Sequence, residues 1–364
     1  MKLKLKYITL SIFLIGCSHK NQTIIHGDIP NLPDGTVYLY DKLPDNRIDS
    51  AESKNGIFRF KHSFKENTEG VYLGIDHKDK NGVTRAFSFP TTSKYQGAPW
   101  YSQYFFNDSD ILIKGNLTDF KQTTLKLPDN YKLVLSPRVT AGKQSQALFD
   151  IDYDLFTNSN GDRIKLIRDA ITKYPYSYHL LYKLDQNKNE YSVNQISDFL
   201  KLFDKSIQET DIYKKLQLFN QKRSANKKNH KVPLLENING EKMQILDPKY
   251  DKHLIIFWAS WCGPCRQEIP LLKKVYSKMA TQIEFISISI DTNETLWKKA
   301  LFKEQMPWKQ LIVNNKEPEY QDMQALFGLG NSIPFTVLVD NDMKILTTST
   351  GLSSEEELKK ILEK

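Results

Sequence analysis

From about Thr23 to Leu127, apolar and polar residues alternate in short runs: TVYLYD, IFRFKHSF, VYLGID and DILIKGNL, with Pro-Asp-Gly and Asn-Gly between some of them. A period of two with such turn residues predicts antiparallel strands, so residues 17–130 are expected to form a β-sandwich-like or small barrel-like domain. Its aromatics Trp100, Tyr101, Tyr104, Phe105 and Phe106 are read as core packing or a hairpin tip rather than a docking surface. From about Gln144 the period lengthens. Ile164, Ile167 and Ile171 share one helical face, and Ile196, Phe199, Leu200 and Phe203 follow helical spacing behind a capping Ser192. Pro175 interrupts the pattern in KYPYSY. Residues 140–221 are expected to be a helical connecting region. The basic stretch 222–231, within QKRSANKKNHK, has no apolar periodicity and predicts a linker.

Across residues 232–364 strands and helices alternate. Asn239-Gly240 predicts a hairpin, and LIIFW is a short apolar strand of the kind found in a sheet covered on both faces. A helix follows from Cys262, then IEFISISI as a strand, TLWKKALF as a helix, LIV as a strand and a helix around QDMQALF. FTVLVD and MKILTTST pair through Asn341-Asp342, and SEEELKKILE closes the chain as a helix. Alternation of this kind predicts a C-terminal α/β domain with a central sheet flanked by helices. The fold class expected is multi-domain: β-rich, then helical, then α/β.

The first residues change the picture. Lys2, Lys4 and Lys6 precede a short apolar run ending in Leu14-Ile15-Gly16-Cys17, too short to span a bilayer but suited to a secretory signal. That ending resembles the lipobox of bacterial lipoproteins. The resemblance implies that residues 1–16 are a signal peptide, that Cys17 carries the lipid, and that the protein sits on a membrane of the cell envelope facing the periplasm, the outer membrane rather than the inner. The net charge of +8 comes from scattered lysines and reads as a solvated surface, not a nucleic-acid site. With Cys17 lipidated, only Cys262 and Cys265 remain of the three cysteines. A bridge closing so short a loop constrains the unfolded chain little, which argues against a mere staple.

The pair lies in FWASWCGPCRQEIP, between a strand and a helix. A helix start leaves N–H groups unpaired and favours negative charge, which lowers the pKa of a thiol placed there and makes the thiolate available for disulfide exchange. Cys262 is then the exposed attacking thiol and Cys265, a turn deeper, the shielded resolving one. A zinc site lacks further ligands: there is no second cysteine pair and no histidine beyond Cys265. Haem attachment fails because Arg266 follows Cys265. No cofactor is expected.

Residues 232–364 resemble the thioredoxin superfamily, in particular the TlpA/ResA-like group of exported thiol-disulfide oxidoreductases. The resemblance rests on FWASWCGPCRQEIP, on SISID and on NSIPFTVLVD. The upstream regions are similar to the part preceding such modules in Bacteroidetes-type lipoproteins. In the superfamily a cis-proline lies against the active-site disulfide; Ile333-Pro334 matches it. Trp261, Gly263, Pro264, Ile333 and Pro334 are thereby the expected substrate-binding residues. Thioredoxin's buried aspartate six residues before the first cysteine is here Ile256. The group's CxxCxxExP pattern instead places Glu268 three residues after Cys265, on one helical face with it, as the expected acid/base partner. The Gly-Pro dipeptide resembles that of reducing thioredoxins. The resemblance thus implies a reductase of disulfide-bonded client proteins, fed by a membrane thiol electron donor. An oxidase or isomerase of the same fold, and a binding lipoprotein acting through its β domain, are the alternatives. A peroxiredoxin-type peroxidase is disfavoured, because those enzymes usually keep their reactive cysteine outside a WCxxC motif.

Overall fold

The computed structural model describes residues 21–41, 46–65, 68–120, 126–157, 162–226, 232–330, 332–352 and 354–364. The signal segment and Cys17 lie outside the described residues, as do residues 227–231 of the expected linker. The chain divides into two compact units, the first ending at Leu155 and the second beginning at Phe156.

In the first unit the alternating runs form two sheets. Strands Val139–Thr140, Asp110–Lys114, Gln22–Asp28 and Ile57–Ser63 make the smaller one, in that order. The larger runs Thr118–Asp119, Tyr131–Leu135, Thr84–Tyr95, Tyr72–Asp79, Gly35–Asp41 and Arg47–Ser53. Two short strands pair alongside this path, Ala98–Ser102 with Thr84–Tyr95 and Phe105–Phe106 with Tyr72–Asp79. Every second residue points inward: Ile25, Phe58, Phe60, Ile111 and Ile113 from one sheet meet Val37, Leu39, Leu73, Ile75 and Phe87 from the other. Phe105 and Phe106 are fully buried, as the core reading expects, while Trp100 stacks on Tyr153 beside the hairpin turn.

Two details depart from expectation. Gln22–Asp28 pairs parallel with Asp110–Lys114, and Tyr131–Leu135 parallel with Thr84–Tyr95; the long intervening segments make such crossovers feasible. The unit also runs past residue 130. The Lys143–Asp150 helix, expected in the connecting region, packs here because the Ser145 hydroxyl accepts from the Phe106 N–H at 2.9 Å and donates to Asp108 Oδ2 at 2.6 Å.

The second unit joins the remaining helices to the α/β part. Helices Arg163–Lys173, Tyr178–Gln186, Val193–Leu200, Lys205–Gln208 and Asp211–Asn226 bury Ile167, Ile171, Ile196, Phe199 and Phe219. Ser192 and Gln195 form a capping box. The expected linker starts inside the last of these helices, since residues 222–226 are helical. Nor is the helical layer a separate connector. Lys222 Nζ reaches Asp322 Oδ1 at 2.6 Å and the Pro318 carbonyl at 3.1 Å, and Asn189 Nδ2 donates to the Gly328 carbonyl at 2.7 Å.

The sheet that positions the site has seven strands in the order Lys242–Met243, Leu235–Asn237, Lys309–Ile312, Glu284–Ser289, Lys252–Trp258, Phe335–Asp340 and Ile345–Thr350. Lys252–Trp258 is central, parallel to Glu284–Ser289 and antiparallel to Phe335–Asp340. Its alternate residues supply two cores. Ile255 and Phe257 face helices Glu294–Glu304 and Pro318–Phe327; Leu254 and Ile256 face Leu272 and Val275 of Gly263–Met279 and Leu358 of Glu355–Leu362. Among the described residues no helix is long and apolar enough to cross a membrane.

Candidate active site

The central strand ends at Trp258, and the chain turns through Ala259, Ser260 and Trp261 into the Gly263–Met279 helix, with Cys262 as its N-cap. Pro264 fits the first turn, where its missing N–H leaves no bond unmade. Cys262 and Cys265 are bonded to each other with their Cα atoms 5.3 Å apart, and the Cys265 N–H donates to Cys262 Sγ at 3.2 Å. Trp261, Gly263 and Pro264 form an exposed rim beside them, Trp261 being 64% exposed.

The expected contrast in exposure between the two cysteines is not present. Cys262 is 5% exposed and Cys265 3%. Cys262 is covered because the Ile333–Pro334 loop approaches it, placing the Ile333 carbonyl oxygen 3.9 Å from Cys262 Sγ. The Ile333–Pro334 bond is cis, and the Pro334 carbonyl accepts from the Gly351 N–H at 3.1 Å. What distinguishes the sulfurs is their position on the helix: Cys262 faces the backbone N–H of the first turn and Cys265 lies within it.

Glu268 is buried on the same helix, one turn after Cys265. Its Oε1 accepts from the Leu352 N–H at 2.7 Å, whereas Oε2 is buried without a hydrogen-bond partner among the described residues. Desolvation raises its carboxyl above the ordinary range; the Leu352 N–H opposes this and Glu357 adds to it. Ile256, where thioredoxin has its aspartate, packs in the apolar core.

Asp291, the last residue of SISID, is a residue of the site to which the sequence reading gives no role. It is 2% exposed and accepts from the Ser260 N–H at 2.8 Å, the Ser260 hydroxyl at 2.6 Å and the Ser289 hydroxyl at 2.6 Å. Those bonds tie the turn before Cys262 to the end of the neighbouring strand. The one signal for it in the sequence is an acidic residue after SISI at a strand's carboxyl end, where sites of α/β sheets gather.

A thioredoxin-like family model matches residues 251–345, and a domain family of unknown function (DUF4369) matches residues 23–149. The thioredoxin-like protein YneN of Bacillus subtilis is 27% identical over 130 residues, covering 35% of this chain and 74% of that protein. The thiol-disulfide oxidoreductase ResA of Bacillus thuringiensis is 26% identical over 132 residues, covering 36% and 73%. The thioredoxin domain of a thiol-disulfide oxidoreductase from Bacteroides vulgatus aligns with a TM-score of 0.32 at 24% identity, over 36% of this chain and 89% of that one. Residues 251–345 thus carry a thioredoxin-like domain, with a buried CxxC pair capping a helix beside an X-Pro loop, and this part of the chain is similar to thiol-disulfide oxidoreductases of the TlpA/ResA-like kind.

Proposed function

We propose that the chain is a membrane-anchored, extracytoplasmic reductase of protein disulfides. The observation that carries this reading is the Cys262–Cys265 pair at the start of the Gly263–Met279 helix, with the Cys265 N–H on Cys262 Sγ. In the reduced protein the same N–H and the helix dipole favour a thiolate on Cys262. That thiolate attacks one sulfur of a client disulfide; the client S–S bond breaks, a mixed disulfide forms, and the departing sulfur takes up a proton. Cys265 then loses its proton and attacks Cys262 Sγ, closing the intramolecular bond and releasing the second client thiol. Two electrons pass to the client. Glu268 is assigned as the acceptor of the Cys265 proton, since a carboxylate held above its ordinary range is a better-matched base. Trp261, Gly263, Pro264, Ile333 and Pro334 are assigned to holding the client around the sulfur. A membrane dithiol donor returns the electrons, and no cofactor is needed.

The reduction potential of the pair, measured against dithiothreitol or glutathione, tests the direction. A value near that of thioredoxin, about −270 mV, is expected; one near that of a strong oxidant, about −120 mV, would make the protein a disulfide donor. The anchor is tested separately. Cys17→Ser should move the protein from the membrane fraction to the soluble fraction, and unchanged fractionation would refute lipidation at Cys17.

A further inference from the structure

A groove of about 480 Å³ opens beside the Ile333–Pro334 loop. Ser332 and Phe335, which flank that dipeptide, line it; Thr348 and Thr350 line it from the edge strand; Asn187, Asn189 and Glu190 line it from the helical layer. The last three belong to the turn after the Tyr178–Gln186 helix, outside the residues that match the thioredoxin-like model.

That turn is held in place by the layer beneath it. Arg223 donates to the Lys188 carbonyl at 3.3 Å and the Tyr191 carbonyl at 2.9 Å. Lys188, 5% exposed, pairs with Asp185 at 3.0 Å and lies over the Phe219 ring. Asn189 donates to the Gly328 carbonyl at 2.7 Å. The wall is therefore built before anything binds, which spares a ligand the cost of ordering it.

The lining combines amide and hydroxyl side chains with the apolar Phe327, Phe335 and Ile345, and has one ionisable side chain, the exposed Glu190. Its inner end adjoins the dipeptide whose carbonyl faces Cys262 Sγ at 3.9 Å. We infer that the helical layer supplies a selectivity wall to the redox site, and that the groove takes the extended client segment next to the attacked cysteine, favouring a segment with a basic residue that reaches Glu190. The inference rests on the reductase reading. It turns the helical layer from a connecting region into part of client recognition.

The test uses the full-length chain, pre-reduced and freed of reductant, and follows its single-turnover oxidation. The probes are two synthetic peptides that differ only in carrying lysines or glutamates on both sides of one intramolecular disulfide. The chain's net charge of +8 steers acidic peptides toward it, so preference for the lysine peptide reports the groove and not the general field. The lysine peptide is expected to react roughly fivefold faster, the size of a modest exposed ion pair. Glu190→Lys should invert the ratio. Glu190→Gln should bring it close to one without adding a bulky cation to the turn. Equal ratios in wild type and both variants would overturn the inference. Hydroxyethyl disulfide, too small to fill the groove, separates the two readings: if the wild type fails to reduce it, the reductase reading falls and the inference with it.

Discussion

Glu268 carries an unusual burden for a carboxylate. One oxygen is committed to the Leu352 N–H of the loop before the last helix, and the other is buried without a partner among the described residues. Desolvation, the leading cause, holds its carboxyl above the ordinary glutamate range. A carboxyl whose folded value exceeds its unfolded value binds its proton more tightly in the native state. Its contribution to stability is complete below the unfolded value and is lost as pH rises through the folded one. The urea midpoint of the oxidised protein should therefore fall across that window, and Glu268→Gln should remove this part of the slope. The same window should appear in the chemistry. Release of a mixed disulfide by Cys265 should quicken as Glu268 deprotonates, and E268Q should be roughly 10²-fold slower with a flat profile. An unchanged rate and an unchanged profile would leave Glu268 a purely structural link to residue 352.

At the scale of elements, what the sequence reveals depends on whether a signal is local. The period-two runs give the strands their identity because each inward residue must be apolar whatever sheet it joins. The Gly263–Met279 helix announces its own start, since Cys262 caps it and Pro264 tolerates only its first turn. Ser192 and Gln195 do the same for Val193–Leu200. Pairing partners are another matter. Nothing in QTIIHGD marks it for parallel pairing with DILIK rather than for a hairpin alone. The Lys143–Asp150 helix is legible as a helix, but its place depends on the Ser145 hydroxyl meeting Phe106 and Asp108, and serine is ordinary in any surface helix. The site divides along the same line. Its cysteines and Glu268 sit in one contiguous motif and can be read directly; Asp291 lies in a separate strand end and becomes meaningful only when the sheet brings it under Ser260. The cover over Cys262 comes from Ile333, far along the chain, so it is legible through the resemblance that places Ile333-Pro334 against the disulfide and not from the cysteine motif itself.

For the whole molecule, the boundary that matters is not where composition places it. A basic, aperiodic stretch reads as a linker, yet its first residues continue a helix whose Lys222 pairs with Asp322 of the α/β part. Tyr320, in the same Pro318–Phe327 helix, packs against the α/β core, and burial with Asp185 close by raises its hydroxyl's pKa. The helices of residues 162–226 therefore complete the second unit. Cutting at residue 232 removes the Lys222–Asp322 pair, whose side chains are only 20% and 29% exposed, and the Asn189 bond to Gly328. Each is worth about 1 kcal/mol once solvent screening is allowed for. Their joint loss of about 2 kcal/mol corresponds to a fall of about 4–8 °C in melting temperature for a domain of this size. A fragment of residues 156–364 should therefore melt in one transition, several degrees above a fragment of residues 232–364. Equal melting temperatures would mean that the α/β part stands alone and the helices merely rest on it. In that case the groove wall at Asn187–Glu190 would lose the rigidity that client selection requires of it.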